Sequence, residues 1–395
     1  MTINYQVNYN GYASDVDNLF IRKDVFSTGG LWSWGRNSYG QLGDNTRVNK
    51  STPVQTIAGG TNWKQISSGA LHVAAIKTDG TLWSWGKNNY GQLGLNDTTS
   101  RSSPTQIIGG GTNWKQVSCG YYHTAAIKTN GTLWSWGYNY FGELGIGIRG
   151  LGNSSPIQVT GGGTNWKQVS CGEQYSGAIK TDGTLWFWGD NGYGVFGLNN
   201  TSSYSSPIQL TGGGTNWKQV SCGLSVMAAI KEDGTLWLCG RNDLGQLGIG
   251  ITNPATKGNS SPVQTIAGGT NWKQVTGGSN YTVAIKTDGS LWGWGYNGTG
   301  GLGDNTRGNK SSPVQTISGG TNWKQVAIAK HYGAFTSAIK TDGTLWTWGD
   351  NGYGQLGDNT QGNKSSPVQT IAGGTNWKQV DCGYFHTIAI REDYY

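Results

Sequence analysis

The chain has little charge, little proline and almost no glutamate. Asp, Glu, Lys and Arg make up 12% of its 395 residues, Pro occurs 8 times, and Glu stands only at 143, 173, 232 and 392. Charge this sparse excludes a solvated disordered chain, and an aromatic content of 12% excludes it again. Four glutamates with no evident carboxylate pairing offer no acid–base machinery. No Cys/His spacing fits zinc, and neither a metal nor a cofactor is expected. No apolar run approaches the ~20 residues of a membrane span, so membrane insertion is not expected. The opening MTINYQVNYNGYASDVDNLF has neither the basic start nor the apolar stretch of a secretory signal. No segment keeps a 3.6-residue apolar period over a helical length. The five cysteines form no disulfide framework. Cys119, Cys171, Cys222 and Cys382 share one slot in V-[SD]-C-G, which reads as a small, buried, reduced thiol.

Glycine and tryptophan are present in excess, 68 and 20 residues. Glycine at turns between aromatic and β-branched runs indicates an all-β chain. L-W-x-W-G begins at Leu31, Leu82, Leu133, Leu185, Leu291 and Leu345, and Leu236 begins the variant LWLCG, with Cys239 in a tryptophan slot. N-W-K-Q places Trp63, Trp114, Trp166, Trp217, Trp272, Trp323 and Trp377. Seven copies at a period near 50 mean a propeller or a solenoid.

Each copy divides into four strands. In one copy they are 115–119, His123–Lys128, Leu133–Trp136 and Pro156–Val159, the outer one opening on proline as an edge strand can. Asn130-Gly131 turns the hairpin between the second and third strands, and the other copies use Asp-Gly, which suits a type I′ turn. The last copy stops at HTIAIRED, where that hairpin is due, and the first begins just after it, at Gly29-Gly30-Leu31-Trp32. The two ends therefore share one blade and close a seven-bladed β-propeller of four-stranded blades over residues 29–395.

The run W-G-x-N-x-x-G-Q-L-G stands as WGRNSYGQLG at 34–43, WGKNNYGQLG at 85–94 and WGDNGYGQLG at 348–357. G-x-x-H-[ST] stands as CGYYHT at 119–124 and CGYFHT at 382–387. With the Asp-Gly hairpin, these motifs resemble the regulator of chromosome condensation repeat family over residues 31–393. The resemblance implies a seven-bladed propeller that presents a loop-rich face to another macromolecule. Family members include an exchange factor for a small nuclear GTPase, plant UV-B photoreceptors and a bacterial β-lactamase inhibitor. No long insertion serves as the exchange factor's wedge and no Trp-Arg-rich photoreceptor motif is present, so neither activity carries over. The near-identity of the copies, and the leader NLFIRKDVFSTGG running straight into LWSWG, are also similar to repeat proteins encoded by marine bacteriophages. That likeness implies a non-enzymatic virion protein. Residues 1–28, with Leu19, Phe20, Ile21, Arg22 and Lys23, would form an arm docking onto another virion protein, and a host glycan or protein would be met by the loop face. A cytoplasmic protein-interaction module, such as a GTPase regulator, is the alternative.

Alternating strands sort the loops onto two faces. One face is monotonous. It repeats Lys64, Lys115, Lys167, Lys218, Lys273, Lys324 and Lys378, with a second ring nearby of Lys77, Lys128, Lys180, Lys231, Lys286, Lys340 and Arg391. An anionic partner of these rings is one expectation and plain solvation the other. The opposite face varies, and loops on a rigid scaffold are where recognition concentrates. Its candidate binding residues are Tyr39, Tyr90, Tyr121, Tyr122, Tyr138, Phe141, Glu173, Gln174, Tyr193, Tyr296, His331, Tyr332, Tyr353, Tyr384 and Phe385. His72, His123 and His386 share a slot that elsewhere holds Tyr175, Val226 or Tyr281, so packing or hydrogen bonding explains them better than metal ligation. The GDNT loops at 43–46, 303–306 and 357–360 read as Asx turns, with weak cation contacts as the alternative. GIGIRG at 145–150 matches a dinucleotide fingerprint by letters but opens no helix.

Overall fold

The computed structural model describes residues 27–394, apart from 58–59, 108, 110, 162, 253–257, 318–319 and 330–333. Those residues form seven four-stranded antiparallel sheets and no α-helix, with one short 3-10 turn at Thr211–Gly213. No helix among them is long and apolar enough to cross a membrane. The sheets are numbered here as blades 1 to 7. Blade 1 runs Trp63–Ser68, His72–Lys77, Leu82–Gly86 and Arg101–Gln106 from the centre outwards. Blades 2 to 6 repeat that order from Trp114, Trp166, Trp217, Trp272 and Trp323. Blade 7 takes its inner strands, Trp377–Cys382 and His386–Tyr394, from one end of the chain and Ser27–Gly35 and Lys50–Gln55 from the other. Nine residue pairs, from Ser27↔Tyr394 to Gly35↔His386, close the ring as the repeat boundaries require.

The strand limits differ from the sequence reading in two places. The innermost strand starts one residue earlier, on its tryptophan, as at Trp114–Cys119. The outer strand starts before its proline: Pro156 lies inside Gly150–Gln158, because a residue on an unpaired edge need not donate.

Two periodic devices join the blades. The glutamine of N-W-K-Q pairs with the backbone of the following blade's innermost strand. Gln65 Nε2 donates to Val117 O at 3.0 Å, and Val117 N donates to Gln65 Oε1 at 3.0 Å. The same two-way bond recurs from Gln116, Gln168, Gln219, Gln274 and Gln325 to Val169, Val220, Val275, Val326 and Val380. Gln379 to Ile66 completes the circle across the chain ends. Innermost strands expose one ladder edge to the channel, and these amides satisfy groups the ladder cannot. Gln379→Ala removes the closing link and strands two backbone groups. It should cost about 1–3 kcal/mol, read from a denaturant midpoint, with a far smaller change for the exposed Lys378→Ala.

The second tryptophan of L-W-x-W-G supplies the other device. Trp85 Nε1 donates to Gln41 O of the preceding blade at 3.0 Å, and Trp34, Trp136, Trp188, Trp294 and Trp348 act likewise on Gln355, Gln92, Glu143, Gln246 and Gly301. In blade 4 the Cys239 thiol takes over, 3.1 Å from Val195 O. A cysteine leaves volume unfilled. The same core gains Phe187 and Phe196, whose rings stack at 5.4 Å, and Gly177 makes room opposite Phe187. All five cysteines are buried, as the shared slot suggested for Cys119, Cys171, Cys222 and Cys382.

Candidate functional site

Two loop types form the variable face, and each is fixed by its invariant residues. In W-G-x-N-x-x-G-Q-L-G the asparagine is the hub. Asn37 is buried; its Nδ2 donates to Asp44 Oδ1 at 2.9 Å, and its Oδ1 accepts from Leu42 N at 3.0 Å. Asp44 in turn accepts from Thr46 N and Oγ1, and Asn45 takes a φ of 59°, so the GDNT segments are Asx turns with a left-handed asparagine. In G-x-x-H the glycine is steric. A Cβ on Gly69 would lie 2.3 Å from His72 Cε1. His72 Nε2 meets Thr124 Oγ1 of the next blade at 3.0 Å, and His123 Nε2 meets Ser176 Oγ at 2.9 Å. At His72 and His123 the slot is therefore an inter-blade hydrogen bond. What remains free to vary is the residue after W-G, the two before the second glycine, and the two before the histidine.

Those free positions converge. The Arg36 guanidinium lies 5.3 Å from the Tyr353 ring centre and 6.0 Å from that of Phe385. Phe385 contacts Tyr353 and Tyr384 at 4.8 and 4.1 Å. Lys87 Nζ bridges Tyr39 at 5.0 Å and Tyr122 at 4.8 Å. Tyr90 packs on Tyr122 and on Tyr138, both at 4.9 Å, and Tyr121 on Tyr122 at 4.2 Å. Tyr138 stacks on Tyr140 at 6.3 Å, which meets Phe141 at 4.9 Å. The rule behind this is simple: the residue after W-G of one blade reaches the aromatic of the preceding blade's loop. Where that residue is Arg or Lys the contact is cation–π; where it is Tyr138 the contact is ring on ring. The result is an aromatic crescent over blades 6, 7, 1 and 2.

Carboxylates stand at the blade 3 end of the crescent. Glu143 occupies a glutamine slot and is fully buried; its Oε2 accepts from Phe141 N at 2.9 Å, while Oε1 has no partner among the described residues. Burial pushes its pKa up to about 7, and the charge of Asp190 adds to the rise. Glu173 is raised to about 7 by the same two causes. No carboxylate pairing is visible in the sequence, because Glu143, Glu173 and Asp190 come from two blades and three loops. Their proximity corrects that expectation.

Eleven of the candidate residues take part in this arrangement: Tyr39, Tyr90, Tyr121, Tyr122, Tyr138, Phe141, Tyr353, Tyr384 and Phe385 in the crescent, and Glu173 with Gln174 in the loop at its acidic end. Tyr193 stands apart, 5.9 Å from the Arg241 guanidinium, and Tyr296 packs onto the blade 5 core. His331 and Tyr332, and Leu19, Phe20, Ile21, Arg22 and Lys23 of the arm, lie outside the described residues. Sequence reasoning missed Tyr140, which is 61% exposed, and the cations Arg36 and Lys87 as partners of the rings. It also missed the apolar tip of the GIGIRG loop, where Ile148 and Leu151 are exposed. That loop runs into an outer strand of nine residues, with no helix to hold a phosphate.

The opposite face corrects the second cationic ring. Lys77 Nζ lies 5.0 Å from the Trp63 ring and 4.4 Å from the Trp83 ring. Lys128, Lys180, Lys231, Lys286, Lys340 and Arg391 cap a tryptophan pair in the same way. These cations are part of the packing. Beneath the pairs of blades 1 to 6 a hairpin Asp or Asn holds a Thr or Ser hydroxyl that holds an indole: Thr81 Oγ1 donates to Asp79 Oδ1 at 2.7 Å and accepts from Trp83 Nε1 at 3.0 Å. Those bonds keep the Asp79 carboxyl below the usual carboxylate range. Blade 7 has Gly30 at the threonine position, and Trp32 Nε1 is left without a partner among the described residues.

The model of the RCC1-like domain matches residues 24–335, and regulator of chromosome condensation repeat models match 325–355 and 342–390. The chain belongs to the regulator of chromosome condensation repeat family. Among the family's curated members, the ultraviolet-B receptor UVR8 of Arabidopsis thaliana is 33% identical over 331 residues, 82% of this chain and 74% of the receptor. The E3 ubiquitin-protein ligase HERC2 of Homo sapiens is 29% identical over 92% of this chain, which spans only 8% of that ligase. Human WBSCR16 superposes with a TM-score of 0.82 at 20% identity, covering 93% of this chain and 100% of its own. Yeast RCC1 (Prp20), solved with Kap60, gives 0.81 at 16% identity over 100% and 97%. These structures share the fold. Within the family's loop motif this chain departs at Glu143, Val195 and Gly301, which replace the glutamine, and at Cys239.

Proposed function

We propose that this propeller is a non-enzymatic interaction module that takes a protein partner on its aromatic crescent. The observation that carries the reading is a pair of ring-and-cation clusters side by side on one arc of one face, one joining Tyr353, Arg36, Phe385 and Tyr384 and the other running from Tyr39 through Lys87, Tyr122, Tyr90 and Tyr138 to Phe141. Tyrosine with interleaved Arg and Lys is the composition of protein interfaces, where a few rigid rings supply most of the binding energy. Relatives whose names mark them as a receptor and as part of a ubiquitin ligase support a regulatory setting. The particle-borne role suggested by the leader rests on residues 1–28, of which 1–26 lie outside the described region, so the interaction reading stands first.

The test is a comparison of baits in lysate of the source. A partner captured by the parent chain should be lost from Tyr90→Ala/Tyr122→Ala/Tyr384→Ala, with affinity reduced at least ~30-fold once the partner is purified. It should be retained by a bait altered at Lys115 and Lys218 on the opposite face. Equal capture by both baits would end the assignment of the crescent.

A further inference from the structure

The face opposite the crescent carries the net charge of the chain. When the seven lysines of the N-W-K-Q motifs are set aside, the remaining 21 basic side chains match the 21 acidic ones. The seven are exposed in every copy. Among the described residues only two of them reach a carboxylate, Lys167 to Glu232 at 3.7 Å and Lys378 to Glu392 at 2.8 Å. Each lysine directly precedes a glutamine that is bonded to the next blade, so the backbone under the ring is fixed. The neighbouring cations are committed to tryptophan, which leaves this ring as the exposed positive feature of the face.

Between blades 6, 7 and 1 the ring opens into a cavity of about 600 Å³, lined by Lys324, Lys378, Lys64, Asn62, Thr78 and Glu392. That volume lies within the usual range of small-molecule sites, roughly 300–1,000 Å³. Charges set in a circle favour a particular shape of anion. A duplex presents its phosphates along an axis and meets such a ring over one short arc. A compact anion with phosphates around its rim meets lysines from several blades at once. We propose that this channel mouth, with Lys324, Lys378 and Lys64 at its centre, binds a compact, multiply phosphorylated small molecule of inositol-polyphosphate chemistry. The site is independent of the crescent and of any partner bound there.

The experiment is isothermal titration of the full chain with inositol hexakisphosphate at low salt and at ~0.3 M salt, where screening is strong. One-to-one binding is expected, weakening as salt rises. Lys64→Gln/Lys324→Gln/Lys378→Gln should weaken it ~30-fold, about threefold for each charge-assisted contact removed. Lys50→Gln/Lys310→Gln/Lys364→Gln removes the same charge from lysines of the outer strands, and should change the affinity less than ~3-fold. Glu392→Gln removes the competing carboxylate and should tighten binding, a gain that a misfolded variant would not give. No heat at low salt overturns the proposal. So does equal weakening by the two lysine triples, or tighter binding of a duplex DNA at equal phosphate concentration.

Discussion

His386→Tyr is expected to remove about 3 kcal/mol of the stability this propeller loses between pH 7 and pH 4. His386 is fully buried at the seam between blades 7 and 1, and neither ring nitrogen has a hydrogen-bond partner among the described residues. The cause is one residue. His72 and His123 face Thr124 and Ser176 of the next blade, whereas the corresponding position for His386 is Val73. Burial, and then the positive charge of Arg36, lower the His386 pKa to about 3. A depressed histidine contributes its full stability above the unfolded pKa, near 6.5, where it is neutral in both states. As pH falls from there towards 3 the unfolded chain takes up a proton that the folded one refuses, and about 1.4 kcal/mol is lost per pH unit. Tyrosine fits the slot, since Tyr175 and Tyr281 already fill it and donate to Val226 O at 2.9 Å and Phe335 O at 2.6 Å. Denaturant melts of parent and variant from pH 7 to pH 4 give the difference. Parallel curves would show that His386 does not titrate as described. Val73→Thr is the companion test, offering His386 the missing hydroxyl and raising stability at pH 7 by about 1 kcal/mol.

Periodicity made the fold legible. Seven copies, two motifs and a split hairpin at the ends are enough to count the blades and close the ring. The histidine slot was legible too, because a position that also accepts Val226 argues against a metal ligand. What no single repeat shows is a contact between repeats. Gln65 looks like a solvated polar residue until Val117 of the next blade stands beside it. Lys77 looks like a free surface charge until two tryptophans from different strands are found beneath it. The crescent was half legible: its tyrosines are the residues that break the repeat. Their clustering depends on Arg36 and Lys87 reaching across a blade boundary, which spacing alone does not give. Glu143 and Glu173 were read as isolated for the same reason. They are 30 positions apart in sequence and belong to successive blades.

Glu143→Gln is expected to raise stability by about 3 kcal/mol more at pH 8 than at pH 4.5. Glu143 is a carboxyl in a slot built for an amide. Gln41 Oε1 and Gln92 Oε1 accept from Tyr39 N and Tyr90 N at 2.9 and 3.0 Å, as Glu143 Oε2 accepts from Phe141 N at 2.9 Å. The carboxyl differs in having a charge to lose. Burial and Asp190 raise its pKa to about 7 from an ordinary 4.5, so the folded chain holds a proton that the unfolded chain releases. That preference contributes fully below pH 4.5 and is lost as pH climbs through 7, the reverse of His386. Glutamine keeps the bond to Phe141 and does not titrate. Urea melts at the two pH values measure the difference, and an equal gain at both would mean that Glu143 is not raised. The same titration bears on the crescent. Glu173 is also raised to about 7, so this end of the face gains negative charge across neutral pH. A partner that sets a cationic side chain beside Tyr138 and Phe141 would therefore bind more tightly at pH 8 than at pH 6. Glu143→Gln would reduce that dependence without touching the rings, leaving the part due to Glu173.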